Sequence, residues 1–112
     1  MNKNMSFEPQ AGEKMILDED CSEDKLRNGI LILTNKRLVF QKTVGRIATF
    51  SKKEGEVVLE IPLRDISSVR SEGFLVKKLV VSLNNGTTYK FGVFGIGSWE
   101  KKITEVKNVN AT

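Results

Sequence analysis

Eight cations and no acid lie between Lys25 and Lys53: Lys25, Arg27, Lys36, Arg37, Lys42, Arg46, Lys52 and Lys53. A run of one sign attracts phosphate or carboxylate groups, but it supplies no base for proton transfer. The chain contains no histidine, which removes the side chain that titrates near neutrality and the commonest metal ligand. The single cysteine, Cys21, cannot form an internal disulfide, and one cysteine without histidine cannot build a finger-type zinc site. Among acidic and polar neighbours Cys21 reads as an inert, exposed thiol. Neither a Gly-x-Ser-x-Gly elbow, nor a phosphate loop, nor a dinucleotide fingerprint is present. These residues predict a protein that binds rather than catalyses, with no cofactor and no bound metal.

Within the cationic run, one segment mixes charge with apolar side chains. Ile47 and Phe50 alternate with Arg46, Lys52 and Lys53, and Lys42 stands just before them. Apolar residues flanked by cations suit the surface of an anionic bilayer, where each cation is worth about 1 kcal/mol, or an acidic partner. Lys42, Arg46, Ile47, Phe50, Lys52 and Lys53 are therefore the candidate ligand-binding residues. Lys77, Lys78 and Lys90 form a second possible patch if their strands pair. Against them stands an acidic stretch, Asp18, Glu19, Asp20, Glu23 and Asp24. It lacks the central glycine and the terminal glutamate spacing of a calcium loop, and reads as a solvated acidic loop that could repel a membrane.

The elements that must carry these residues are mostly strands. Positions 29–34 are apolar on both faces, which predicts a strand covered on both sides, and Asn35-Lys36 joins it to a second strand at 38–42 in a hairpin that feeds the core. Val57, Leu59, Ile61 and Leu63 alternate, and Pro62 confines that strand to an edge or ends it. A short strand follows around Val69 until Gly73. Leu79, Val81 and Leu83 then alternate, Asn84-Asn85-Gly86 turns the chain, and Tyr89, Phe91 and Val93 share a face on the return. With a first strand at 14–17, the count is seven. Ile96, Trp99, Ile103 and Val106 recur at helical spacing, predicting one amphipathic helix over 98–108, capped by Ser98 and with Glu100 in its first turn.

A chain of 112 residues fits one domain with one core. Residues 1–11 read as a loose tail, 12–109 as the domain and 110–112 as a C-terminal tail. No apolar run reaches the ~20 residues of a membrane-spanning helix, and the N-terminus lacks the apolar core of a signal peptide. The expected location is the cytoplasm, with peripheral contact at the inner face of the membrane.

Several of these residues together resemble a known family. Gly29, Leu31, Leu33-Thr34-Asn35-Lys36-Arg37-Leu38 and Phe40 are followed by Ile61-Pro62-Leu63, Asp65-Ile66, the Asn85-Gly86 turn with Tyr89 and Phe91, and a last helix bearing Trp99. Over roughly residues 12–107 this pattern is similar to the GRAM domain, a member of the pleckstrin-homology-like (PH-like) superfold. The resemblance implies a barrel of two near-orthogonal antiparallel sheets, of four and three strands, capped by the helix, with Trp99 as the plug. Lipid-binding members of the superfold carry Lys and Arg on the first two strands and their loop. Here only Lys14, Lys25 and Arg27 match, and the acids between them oppose a phosphate at that place. One fold hosts lipid and protein ligands alike. The expectation is peripheral association with anionic lipids. The alternative is a protein–protein or homo-oligomerising domain that pairs through a strand edge near Leu63 or Val69. Nucleic acid is disfavoured, because only Phe40 and Phe50 could stack on bases within the cationic run.

Overall fold

The computed structural model describes residues 7–43 and 55–111. Seven strands precede one helix: β1 (Met15–Glu23), β2 (Arg27–Thr34), β3 (Arg37–Lys42), β4 (Val57–Pro62), β5 (Ile66–Glu72), β6 (Lys78–Leu83), β7 (Thr88–Val93) and α1 (Ile96–Ala111). A 3-10 turn at Leu63–Asp65 links β4 to β5. All pairings are antiparallel, and the order across the sheet is β4-β3-β2-β1-β7-β6-β5.

This ladder corrects the expected division into two separate sheets. The blocks of four and three strands exist, but hydrogen bonding joins them into one seven-stranded sheet. The joint is the end of β1, where Cys21, Ser22 and Glu23 pair with Val93, Gly92 and Phe91. β1 also corrects the reading of its own sequence. Asp18 to Glu23 are strand, not loop, because β2 pairs along the whole length of β1 and supplies the backbone partners that acidic residues do not themselves favour.

The sheet wraps one main core. Leu31 and Leu33 of β2, Leu38 and Phe40 of β3, Ile61 of β4, Leu79 and Val81 of β6, and Phe91 of β7 meet Trp99 and Ile103 of α1. Trp99 is 3% exposed, so the indole is buried against the sheet as its helical spacing suggested, in the place of the plug that the resemblance implied. The helix begins two residues before Ser98. The N–H of Trp99 donates to the carbonyl of Gly95, which has a left-handed φ of 70°. Glu100 therefore lies beyond the first turn, and its carboxylate instead accepts a 2.9 Å hydrogen bond from the Ser71 hydroxyl of β5. The Asn85-Gly86 turn forms as its sequence requires, with Gly86 at φ 94° and its N–H donating to the Leu83 carbonyl.

Both faces of the β2–β3 hairpin are covered. Ile30, Ile32 and Val39 form a second apolar cluster on the outer face, under Phe7 and Val57. From Phe7 onward the N-terminal segment lies along β3. The Phe7 N–H donates to Gln41 Oε1 at 2.8 Å, and the Arg37 guanidinium sits 5.1 Å from the Phe7 ring centre. Arg37 also holds the buried carboxylate of Glu13, through Nε at 2.7 Å and Nη2 at 2.9 Å. The Thr34 hydroxyl donates to the same carboxylate at 2.6 Å and accepts the N–H groups of Lys36 and Arg37. Burial alone would raise the Glu13 pKa. Hydrogen bonds from Arg37, Thr34 and the Gln10 N–H, with the guanidinium charge, outweigh burial and hold it near 2 against an ordinary 4.5.

A carboxylate with a depressed folded-state pKa stabilises the fold above its unfolded value, and that contribution is lost as pH falls through the folded value. Acid unfolding followed by circular dichroism is expected to steepen between about pH 4.5 and 2. Glu13→Gln leaves the buried Arg37 with only the half-exposed Glu60 as a charge partner, costing about 3 kcal/mol at neutral pH. The variant should also flatten the acid limb. A variant as stable as the parent, with an unchanged acid limb, would show that the pair carries no such weight.

Candidate functional surface

The residues that sequence reading brought forward separate into three groups. Lys42 is exposed at the end of β3, where its N–H donates to the Glu56 carbonyl. Arg46, Ile47, Phe50, Lys52 and Lys53 lie outside the described residues. Arg37 is a structural ion-pair partner rather than a ligand contact, bridging Glu13 and, at 3.2 Å, Glu60. Lys14, Lys25 and Arg27 are exposed. Glu23 is absorbed locally: one of its carboxylate oxygens accepts the N–H groups of Lys25 and Leu26, closing the β1–β2 turn. Leu63, named as a possible pairing edge, is buried in the 3-10 turn, whereas Val69 lies in β5, at the other end of the ladder from β4.

Of the second cationic group, Lys78 and Lys90 reach one sheet face, while Lys77 lies in the connection before β6. In β5, β6 and β7 the alternation that sends Val69, Leu79, Val81 and Phe91 to the core sends the intervening residues outward. Arg70, Val80 and Lys90 then form one cross-strand row, since Arg70 pairs with Val80 and Val80 with Lys90. The next row holds Glu72, Lys78, Gly92 and Ser22. Glu72 turns toward Lys90, at 3.0 Å, and that hydrogen bond together with the ammonium charge lowers its pKa. Lys78 leans the other way, with its ammonium over Gly92. A methyl group at Gly92 would stand 3.8 Å from Lys78 Nζ and 3.0 Å from Ser22 Oγ. The outer face thus carries three cations for one carboxylate.

The same end of these strands carries a feature that sequence reading passed over. Gly73 to Lys77 connect β5 to β6, and Phe74, Leu75 and Val76 are 90%, 88% and 73% exposed. Phe94, just past β7, is 81% exposed. Because Leu79 pairs with Phe91, the start of β6 and the end of β7 coincide, so Phe94 and the connection lie at the same end of the sheet. Gly73 has a φ of 119°, and a Cβ there would run into the Val76 carbonyl, so the tight turn requires glycine. The available signal was three consecutive apolar residues between a glycine and two lysines, outside the alternation of β6. Consecutive exposed apolar residues are a defect in a soluble surface unless they have a use.

Among the described residues no three of Cys, Asp and Glu are placed to hold a metal. No helix among them is long and apolar enough to cross a membrane. Cys21 lies in the core, where burial first, and then the charge of Glu23, push its thiol up to about 12 despite the opposing effect of Lys78 and of its bond to the Ser22 carbonyl.

The sequence matches no family model and no curated protein sequence. Solved structures are similar in fold. The C-terminal domain of an unknown protein from Leishmania infantum aligns with a TM-score of 0.68 at 14% identity, over 87% of this chain and 86% of that one. The Vps36 N-terminal PH domain aligns with a TM-score of 0.68 at 17% identity, over 92% and 86%. The PH domain from TgAPH aligns with a TM-score of 0.55 at 21% identity, over 80% of each chain. The chain therefore has a PH-like fold. At these identities the likeness extends to the fold alone.

Thiolate is the reactive form of cysteine, so a thiol held near 12 is almost wholly protonated at about pH 8. Folded protein mixed with an aromatic disulfide reagent at that pH should release no thiolate colour from Cys21, and denatured protein should release one equivalent. Prompt reaction in the folded state would contradict the buried position.

Proposed function

We propose that this chain is a non-catalytic PH-like docking module that associates peripherally with anionic membrane surfaces. The observation that carries the reading is the outer face of β5, β6 and β7, where Arg70, Lys78 and Lys90 face solvent around Val80 with only Glu72 to balance them. An open face of this kind gathers anionic lipid without requiring a deep pocket. Asp18 and Asp20, exposed on β1, carry the opposite sign and bound the cationic face on its β1 side. The basic segment Lys42, Arg46, Ile47, Phe50, Lys52 and Lys53 is proposed as a second contact with the same surface.

A second reading, pairing with a protein or with another copy of the chain, is favoured by one observation. β5 has a hydrogen-bonded neighbour on one side only, which leaves a strand edge near Val69.

Vesicles of phosphatidylcholine with and without phosphatidylserine test the first reading. Each cation near an anionic surface is worth about 1 kcal/mol. Arg70→Glu with Lys78→Glu should accordingly lower co-sedimentation with anionic vesicles by at least about tenfold. Arg46→Glu, Lys52→Glu and Lys53→Glu together should lower it further. Binding to neutral vesicles that equals binding to anionic ones would refute the reading. A stable dimer by light scattering, indifferent to vesicles, would favour the second.

A further inference from the structure

We propose that Phe74, Leu75 and Val76, with Phe94 at the same end of the sheet, form a bilayer-insertion element that enters the acyl–headgroup boundary of an anionic membrane. The inference rests on the membrane reading above and adds the depth and the residues of contact. Three observations support it. The four side chains are 73% to 90% exposed and belong to neither apolar cluster, so the fold does not need them. The turn that presents them is set by Gly73, whose φ of 119° shapes a compact tip. Lys77 and Lys78 follow the tip directly, and Arg70 and Lys90 lie on the sheet face behind it. Apolar side chains that enter the boundary, with cations left at headgroup level, are the arrangement of interfacial membrane anchors.

The dimensions favour a bilayer over a second copy of the chain. Four apolar side chains at ~150 Å² each offer on the order of 600 Å². A standard protein interface takes roughly 800 Å² from each partner. A narrow projecting tip finds no matching concavity in an identical tip, whereas a fluid boundary yields to it. Near the tip, Lys77, Lys78, Arg70 and Lys90 are positive, Glu72 is held by Lys90, Glu100 accepts the Ser71 hydroxyl, and Asp20, next to the Cys21–Val93 pair, already has a partner.

The test uses the full chain and phosphatidylcholine–phosphatidylserine vesicles. A thiol-reactive environment-sensitive dye is placed at Leu75→Cys, with Cys21 protected by its burial. On vesicle addition the emission should shift to the blue and be quenched by lipids spin-labelled near the glycerol end of the chain. In parallel, Phe74→Ser with Leu75→Ser should retain the parent's melting temperature. It should lose at least about tenfold in vesicle binding measured in about 1 M salt, where charges are screened beyond roughly 3 Å. Vesicle binding that survives both serines, but not Arg70→Glu with Lys78→Glu, would leave the membrane reading in place and overturn insertion. A dye that stays in water on bound protein would do the same. Absence of vesicle binding by the parent would remove both proposals. A blue shift that grows with protein concentration without vesicles would mean self-association and would also overturn insertion.

Discussion

The buried carboxylate of Glu13 is the constraint on which half of this molecule depends. Taking a charge out of water is costly unless partners replace the solvent. Here the replacement is complete: Arg37 donates twice, Thr34 once, and the Gln10 N–H once. Those bonds join residues far apart in the chain, so satisfying one carboxylate fixes the N-terminal segment against the β2–β3 hairpin. Asn35 adds to the lock by accepting the Lys14 N–H and donating to the Gly12 carbonyl. With the segment in place, Phe7 covers Ile30, Ile32 and Val39, and the hairpin acquires its second apolar face. The motif that most resembled a known family is thus occupied with holding the fold, and its cation Arg37 is unavailable to a ligand.

The other half of the sheet is built to the opposite plan. β5, β6 and β7 pack one face against the core and α1, and nothing equivalent to the N-terminal segment covers the other among the described residues. Val80 is nevertheless fully buried there, sheltered between Arg70 and Lys90 in its own row. Long cationic side chains can cover an apolar residue with their stems while keeping their charges in solvent. The same residues that complete the packing therefore also set the charge of the open face. The Gly73–Lys77 connection stands at the edge of this face, where packing makes no demand on it.

A PH-like fold is compatible with lipid, peptide or partner-domain ligands, so function has to come from surfaces. On this chain the cations of the β2–β3 end are tied into structure or exposed singly, and the first strand bears acids. Among the described residues, the concentration of positive charge and apolar exposure at one end of β5, β6 and β7 is the feature that distinguishes one surface from the others. Its two components act over different ranges. Charge brings an anionic surface near and fades with salt, while apolar contact acts only once the tip has arrived.

Period-two patterning made the strands of β2, β3, β4, β6 and β7 legible, and the Asn85-Gly86 turn and the Trp99 stripe were legible for similarly local reasons: side-chain direction and backbone freedom belong to a few neighbouring residues. The acidic part of β1, Asp18 to Glu23, was not, since its residues disfavour strand in isolation and become one only by pairing with β2 along their length and with β7 at their end. The Glu13–Arg37 pair spans 24 residues, and no pattern in the chain announces it. The clustering of Lys78 and Lys90 could be inferred from the turn between them, but Arg70 joined them only through the register of β5. Phe74, Leu75 and Val76 were visible as an apolar run, yet a run does not say whether it is covered. The sequence by itself determined the strand periods, the turns, the terminal helix and the inventory of chemistry, because those depend on neighbours along the chain. Tertiary structure alone decided that seven strands share one ladder, which cations are consumed by the fold and which apolar residues face water, because those depend on what distant segments bury.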